Sequence, residues 1–304
     1  MSTISLLHLP HIRIHNANAL SSPFTIGFPA MTAWLGFSHA LQRKLNQHGY
    51  PTLKFWSTAV ISHACDLQTY KGPGDFVQSI IGTANPLQKD GSRASFIEEA
   101  RCHLDVSLLI EYENMEQGEQ QPLNQQQLDK ISQLLLTMKI AGGDILAFAN
   151  PKIWAVNDDD DNDKEKRQLK SSLMPGYVLI ERRELMKEAM EAGKDAIDAL
   201  LDYLTVDHQC EKQQNGQIEW HSKRKTTGWI VPIATGFHGI SSLAKALNQR
   251  DPNTPHRFAE SIVTLGEFKM VHRLEQLADS LWYYATDAEN NLYLCQQNKH
   301  NEFN

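Results

Sequence analysis

The first 65 residues, Met1 to Cys65, contain no aspartate or glutamate, although the 304-residue chain carries a formal charge of -7. Their only formal charges are Arg13, Arg43, Lys44 and Lys54, and six of the thirteen histidines lie there too. This lobe is locally cationic and grows more so as pH falls, so it suits a polyanion. The acid is concentrated elsewhere. Nine carboxylates fall in two loop-like tracts, Glu111, Glu113, Glu116 and Glu119 in the first and Asp158, Asp159, Asp160, Asp161 and Asp163 in the second; setting them aside leaves +2. The negative total therefore does not exclude a nucleic-acid partner. It fits a nucleic-acid subunit shielded by other subunits better than a free-standing DNA binder.

Other absences narrow the class further. The four cysteines, Cys65, Cys102, Cys210 and Cys295, are far apart and form no C-x-x-C, which argues against a zinc knuckle or a compact disulfide framework and for a reducing compartment. A metal set of His63, Cys65, Cys102 and His103 is disfavoured, because adjacent residues of a strand point to opposite faces. The Asp158–Asp161 run lacks the glycine and terminal glutamate of a calcium loop and is expected to be solvated. No Walker loop, G-x-S-x-G or H-E-x-x-H occurs, and no cofactor is expected. No basic-then-apolar leader opens the chain, no apolar run approaches the length needed to span a bilayer, and no repeat recurs at a fixed period. The expectation is a soluble, cytoplasmic protein without a membrane partner, its 41% apolar residues sufficient for a substantial core.

Periodicity then suggests the fold. Residues 4 to 15 alternate as a strand, with Arg13 and His15 on one face. Met31, Trp34, Leu35, Leu41 and Leu45 fall at helical spacing over residues 30 to 47, with Pro29 before them and Gly49 after. Residues 53 to 65 and 104 to 112 are β-rich, and a helix capped by Asn124 carries Leu128, Ile131, Leu134, Leu135 and Met138 as far as Ala141-Gly142-Gly143. D-I-L-A-F-A-N supplies a fourth strand. The order βαββαβ predicts an α+β chain. Residues 1–150 would form a ferredoxin-like, RRM-like core, with an insertion at about 68–101. Residues 151–304 would be a mixed α/β extension packed on that core and interrupted by an acidic loop at 157–165. Within the extension a long helix is expected at 183 to 204, and another from His272 to Tyr284.

The richest segment is residues 12 to 29, I-R-I-H-N-A-N-A-L-S-S-P-F-T-I-G-F-P, where small amides and hydroxyls cluster at a strand-to-helix handover. Asn16, Asn18, Ser21 and Ser22 can contact bases, riboses and phosphates at little entropic cost, or can equally build caps and Asx turns. Gly142 and Gly143 could bring amides to a phosphate, or cap a helix. Arg93, Arg101 and His103, flanking the inserted segment, and the basic run Lys223, Arg224 and Lys225 join the acid-free N-terminus with Arg13 in a backbone track. Metal-free RNA cleavage by His15, His39 or His63 is the enzymatic alternative, although spacing identifies no second catalytic partner.

Several blocks resemble a known family. These are N-A-N-A-L-S-S-P-F-T-I-G-F-P at 16 to 29, G-F-S-H-A-L-Q-R-K at 36 to 44, N-P-L-Q-K-D-G-S at 85 to 92, E-E-A-R-C-H-L-D-V-S-L-L at 98 to 109, A-G-G-D-I-L at 141 to 146, G-W-I-V-P-I at 228 to 233 and R-F-A-E-S-I-V-T-L-G-E at 257 to 267. In that order they are similar to the Cas-five-type subunit of the type I-F CRISPR surveillance complex, the Csy complex. Ile26 stands where the family pattern has an aromatic residue. The resemblance implies a ferredoxin-like RNA-binding core with a thumb-like insertion, non-catalytic, pairing with the large subunit to cap the 5' handle of the CRISPR RNA. It also implies contact with the repeated backbone subunits, and with target DNA through the assembled complex. Arg13, Asn16, Asn18, Ser21 and Ser22 would hold the handle, assisted by Arg93, Arg101, His103, Gly142 and Gly143. Related proteins of another subtype cut RNA, so a metal-independent endoribonuclease processing precursor CRISPR RNA is the alternative.

Overall fold

The computed structural model describes residues 3–81, 87–93, 99–116, 118–160, 162–212, 218–249 and 251–297. The chain opens with β1 (Thr3–Asn18), in which Leu7 and Leu9 face one side and Leu6 and His8 the other. A bulge places His11 at a left-handed φ of 48° and shifts the register between Leu9 and Ile12, so that Ile12 and Ile14 rejoin the face of Leu7 and Leu9. A hairpin of β2 (Leu20–Ser22) and β3 (Thr25–Ile26) leads into α1 (Met31–Gln47). Next come β4 (Leu53–Leu67), the short pair β5 (Thr69–Tyr70) and β6 (Ser79–Ile80), then β7 (Arg101–Glu116) and β8 (Glu119–Gln120). The expected insertion includes residues 82–86 and 94–98, which lie outside the described residues, as do Asp161 and the Glu116 side chain.

Asn124 caps α2 (Gln125–Leu135) reciprocally. Its side chain accepts from the Gln127 amide at 3.0 Å, and the Gln127 side chain accepts from the Asn124 amide at 2.8 Å. Then follow β9 (Lys139–Ile140), β10 (Gly143–Ala147), β11 (Lys152–Asn157), α3 (Lys164–Ser172), β12 (Tyr177–Glu181), α4 (Arg183–Glu191) and α5 (Ala196–Leu204). The chain closes with β13 (Val206–Lys212), β14 (Ile218–Arg224), β15 (Trp229–Gly239), β16 (Ala259–Met270), β17 (Tyr283–Asp287) and β18 (Leu292–Gln296).

These strands overturn the expected fold class. The principal sheet has twelve antiparallel strands in the order β17-β18-β15-β16-β12-β4-β7-β1-β10-β9, with β11 on β1 and β8 on β7, curled as a half-barrel. It is not the expected ferredoxin-like, RRM-like βαββαβ core. The physical reason lies at the edge of β4. An exposed strand edge is a template for pairing, and here Ser62 and Ile61 pair with Tyr177 and Val178 of β12, from which the sheet continues through β16, β15, β18 and β17.

Three apolar clusters hold the layers together. On one face α1 and α2 pack Trp34, Leu41, Ile131 and Leu135 against Leu9, Ile12, Val106 and Leu108. On the other, α3 and the segment before β17 bring Leu169, Leu173, Leu274 and Leu277 onto Leu6, Ile61 and Leu109. A third cluster joins α4 and α5 to Ile230 and Leu265. The second cluster covers only part of its face, so the sheet beyond it is open where β1, β4 and β7 run on.

Two expected helices differ. The helix at 183 to 204 breaks into α4 and α5 around Gly193, which has a φ of 92°, and Asp195 then caps α5 through the Asp198 amide at 2.8 Å. The helix expected from His272 to Tyr284 is two single 3-10 turns, Val271–Arg273 and Ala278–Ser280, followed by β17. Successive tight turns bury Leu274, Leu277, Leu281 and Trp282 at intervals that mimic a helical face. Among the described residues, no helix is long and apolar enough to cross a membrane.

Candidate nucleic-acid interface

The open face is built by alternation. In β7 the side chains of Cys102, Leu104, Val106 and Leu108 enter the core under α1 and α2, which turns Arg101, His103, Asp105 and Ser107 to the opposite side. β1 lies antiparallel beside it, with Arg13 opposite Asp105 and Ile14 opposite Leu104, so Arg13 and His15 share that polar face. Arg13 is exposed and finds no hydrogen-bond or ion-pair partner among the described residues.

At the far end Asn16 takes a φ of 58°, a conformation Asn tolerates better than most residues. Its amide donates to His103 Nδ1 at 3.3 Å, its side-chain oxygen accepts from Gln68 Nε2 at 2.5 Å, and its carbonyl accepts from Arg101 Nη1 at 3.4 Å. Glu99 ion-pairs with Arg101. The rings of His15 and His103 stack with centroids 4.5 Å apart and planes inclined 19°. The structure thus brings Asn16, Arg101 and His103 into one cluster with Arg13 and His15 alongside.

A second cluster lies further along the same strip. His11 and His63 stack at 4.2 Å, and His11 Nδ1 lies 3.1 Å from Asp105 Oδ1. His63 Nδ1 donates to the Pro175 carbonyl at 2.7 Å, which leaves Nε2 to accept from the Ser107 hydroxyl at 2.7 Å; the His11 amide in turn donates to Ser107 Oγ at 3.1 Å. Burial holds the His63 pKa below the ordinary histidine value. Beneath them His8 is 1% exposed, with no hydrogen-bond partner on either ring nitrogen among the described residues. Burial first, then Lys152 directly across in β11, His63 and His11, pull its pKa down to about 3.

His8 therefore folds neutral. The unfolded chain takes up a proton near pH 6.5 that the folded chain refuses until about 3. Stability from this group is complete above pH 6.5 and falls as pH drops toward 3, by at most about 1.4 kcal/mol per unit. His8→Leu is expected to flatten that part of the profile, measured by urea unfolding at a series of pH values. An unchanged slope would remove His8 as its source.

The remaining candidates are placed differently. The Asn18 amide side chain donates to the Leu20 carbonyl at 3.0 Å and its oxygen accepts from the Leu20 amide at 3.1 Å. Ser21 and Ser22 both bond Thr25 Oγ1, at 2.8 and 2.7 Å, and Ser22 also accepts from the Phe24 amide at 3.1 Å. These short side chains lock the β2–β3 hairpin. Phe24, 83% exposed at its tip, is the side chain they present. Gly142 forms the turn between β9 and β10 with Ala141, and Gly143 opens β10 opposite Ile140; neither lies at a helix terminus, since α2 ends at Leu135. Arg93 is exposed and makes no hydrogen bond or ion pair with the cluster among the described residues. His39 is exposed on α1, on the layer away from the strip.

Sequence reasoning missed His11, Gln68, Asp105 and Ser107 as strip residues. The signal was present: R-C-H-L-D-V-S-L alternates polar and apolar without a break from 101 to 108.

Two comparisons bear on what carries this strip. The family model described as CRISPR-associated protein (Cas_Csy2) matches residues 7–295. CRISPR-associated protein Csy2 of Pseudomonas aeruginosa (strain UCBPP-PA14) is 32% identical over 314 residues, which cover 95% of this chain and 94% of that relative. The family match runs from the polar strip of β1 into the last strand of the sheet, and the chain belongs to the Csy2 family of CRISPR-associated proteins.

Proposed function

We propose that this chain is a non-catalytic RNA-binding subunit of the type I-F CRISPR surveillance complex, and that it grips the 5' handle of the CRISPR RNA along the polar strip of β1 and β7. The carrying observation is the row Arg101, His103 and Asp105 beside Arg13 and His15, on the part of the sheet face that α3 leaves open among the described residues. Single-stranded RNA is bound by groups of this kind. Guanidinium groups meet phosphates, the flat His15–His103 pair offers a stacking surface, and Asp105 can accept from a base amino group where it would repel a phosphate. Family membership supports the assembly: the chain would pair with the large subunit, adjoin the repeated backbone subunits and meet target DNA only through the complex.

Arg13 has no partner to replace among the described residues, so Arg13→Ala is expected to weaken handle binding and lower the magnitude of the slope of log K against log salt by about 0.7 to 1. Arg101→Ala removes a phosphate contact and also releases Asn16 and Glu99, so its affinity loss should be the larger of the two. Titration of the handle RNA at several salt concentrations measures both. An unchanged slope for Arg13→Ala would take the handle off this strip. Incubation with precursor RNA in EDTA tests the catalytic assignment, because specific cleavage lost on substitution of His15, His39 or His63 would make the protein a metal-independent endoribonuclease.

A further inference from the structure

The hairpin of β13 and β14 stands apart from the principal sheet, and among the described residues it pairs with no other strand. Every described side chain on it is exposed except Val206, which is half-buried. A lone two-stranded hairpin is at best marginally stable in water, so an exposed one that keeps a large aromatic side chain calls for an occupant. Its root is braced: Lys225 Nζ lies 2.9 Å from Asp202 Oδ2 and 4.3 Å from the centre of the Tyr203 ring, both on α5.

The register sorts its charges by face. Val206 pairs with Arg224, His208 with Ser222, Cys210 with Trp220 and Lys212 with Ile218, so these eight share one side, as the 2.8 Å contact of His208 Nδ1 with Ser222 Oγ confirms. Asp207, Glu211 and Glu219 all fall on the other, with Gln209, His221 and Lys223. One face thus holds every described acid of the hairpin. Its opposite face holds none, and presents Trp220, 67% exposed, between Lys212 and Arg224. The run Lys223-Arg224-Lys225 is split by this geometry, Arg224 facing the tryptophan, Lys223 the acids and Lys225 the helix.

We propose that the acid-free face of this hairpin is a binding site for single-stranded nucleic acid, with a base stacked on Trp220 and the flanking phosphates met by Lys212 and Arg224. Stacking on an exposed aromatic ring between cations is the sequence-tolerant mode of single-strand binding, and the segregation of Asp207, Glu211 and Glu219 removes the repulsion that would oppose it. A protein partner would be served as well by a mixed-charge face. The inference stands independently of handle binding on the β1–β7 strip.

The test uses the full chain with short oligothymidylate and oligouridylate carrying 5-bromouracil, so that the DNA and RNA arms are compared directly. Photo-crosslinking is expected to map to Trp220. Trp220→Ala should weaken binding about 5- to 150-fold at an unchanged unfolding midpoint, because the ring is exposed. Lys212→Ala with Arg224→Ala should weaken it and flatten its salt dependence, whereas Lys223→Ala, on the acidic face, should be the milder change. The crosslink should persist in Arg13→Ala with Arg101→Ala, which separates this face from the handle strip. Failure of the oligonucleotides to bind, or no crosslink at Trp220 with wild-type affinity in Trp220→Ala, overturns the proposal. Unchanged oligonucleotide binding with reduced recovery of partner subunits from Trp220→Ala also overturns it, making the face a protein dock.

Discussion

Asp158→Ala is expected to cost about 3–5 kcal/mol of stability, while Asp159→Ala, one residue further along the same acidic run, costs no more than about 0.5. Composition treats the two alike, and both were expected in a solvated loop, but the structure does not treat them alike. Asp158 is 6% exposed and its carboxylate accepts from the amides of Leu277 at 2.9 Å and Ala278 at 2.8 Å. Lys166, 2% exposed, lies 3.4 Å from that carboxylate and donates to the Asp158 carbonyl at 2.6 Å. Truncation removes the carboxylate from beside a buried ammonium and orphans two amides of the turn that packs Leu277 onto the sheet. Asp159 is exposed, so its loss changes only solvated charge. Urea unfolding of both variants measures the contrast. Adding Lys166→Met to Asp158→Ala should recover part of the loss, since the buried ammonium disappears. Equal midpoints for Asp158→Ala and Asp159→Ala would show that the acidic segment does not pin residues 277 and 278.

The same segment shows what the sequence could and could not convey. Asp163 caps α3 by accepting from the Lys166 amide at 2.7 Å, a role its place before a polar helix could have suggested. Nothing local marks Asp158 as buried, because the two amides its carboxylate accepts from are more than a hundred residues away. Contact distance along the chain governs the rest as well. β1, α1, β4, β7 and α2 were legible because each buries a face against neighbours of matching period. The wider sheet was not, because β12 joins β4 and β16 only through long-range pairing. The apolar spacing of Leu274, Leu277 and Leu281 is compatible with a helix or with consecutive tight turns, and only the packing against α3 decides. At the site, Asn16, Arg101 and His103 were identified by residue type and do meet. The same reasoning could not tell that the hydroxyls of Ser21 and Ser22 are committed to Thr25.

Gly143 provides the second large effect. A Cβ there would sit 2.6 Å from Ile14 Cγ2 and 2.8 Å from both the Ala17 amide nitrogen and the His15 carbonyl oxygen, and the last two are main-chain atoms that no rotamer change can move aside. These atoms belong to the stretch of β1 that swings Asn16 into its left-handed conformation beside Arg101 and His103. Gly143→Ala must therefore push β10 from β1 where Ile14 pairs with Ile145 and His15 with Asp144. The expected cost is about 1–3 kcal/mol or more, together with weakening of the proposed handle binding, because the displaced backbone carries His15 and Asn16. Gly142 is the control. It has a φ of 77° but only Arg101 Nη1 near its Cβ position, at 3.9 Å, so alanine there meets backbone strain without a clash. The two variants separate packing from ligand approach. If both keep full stability and lose RNA affinity alike, the pair serves as a cradle of amides for a phosphate. If Gly143→Ala loses both stability and affinity while Gly142→Ala loses a smaller part of stability and leaves affinity intact, the second glycine is required by the close passage of two strands, and RNA feels it only through the position of Asn16.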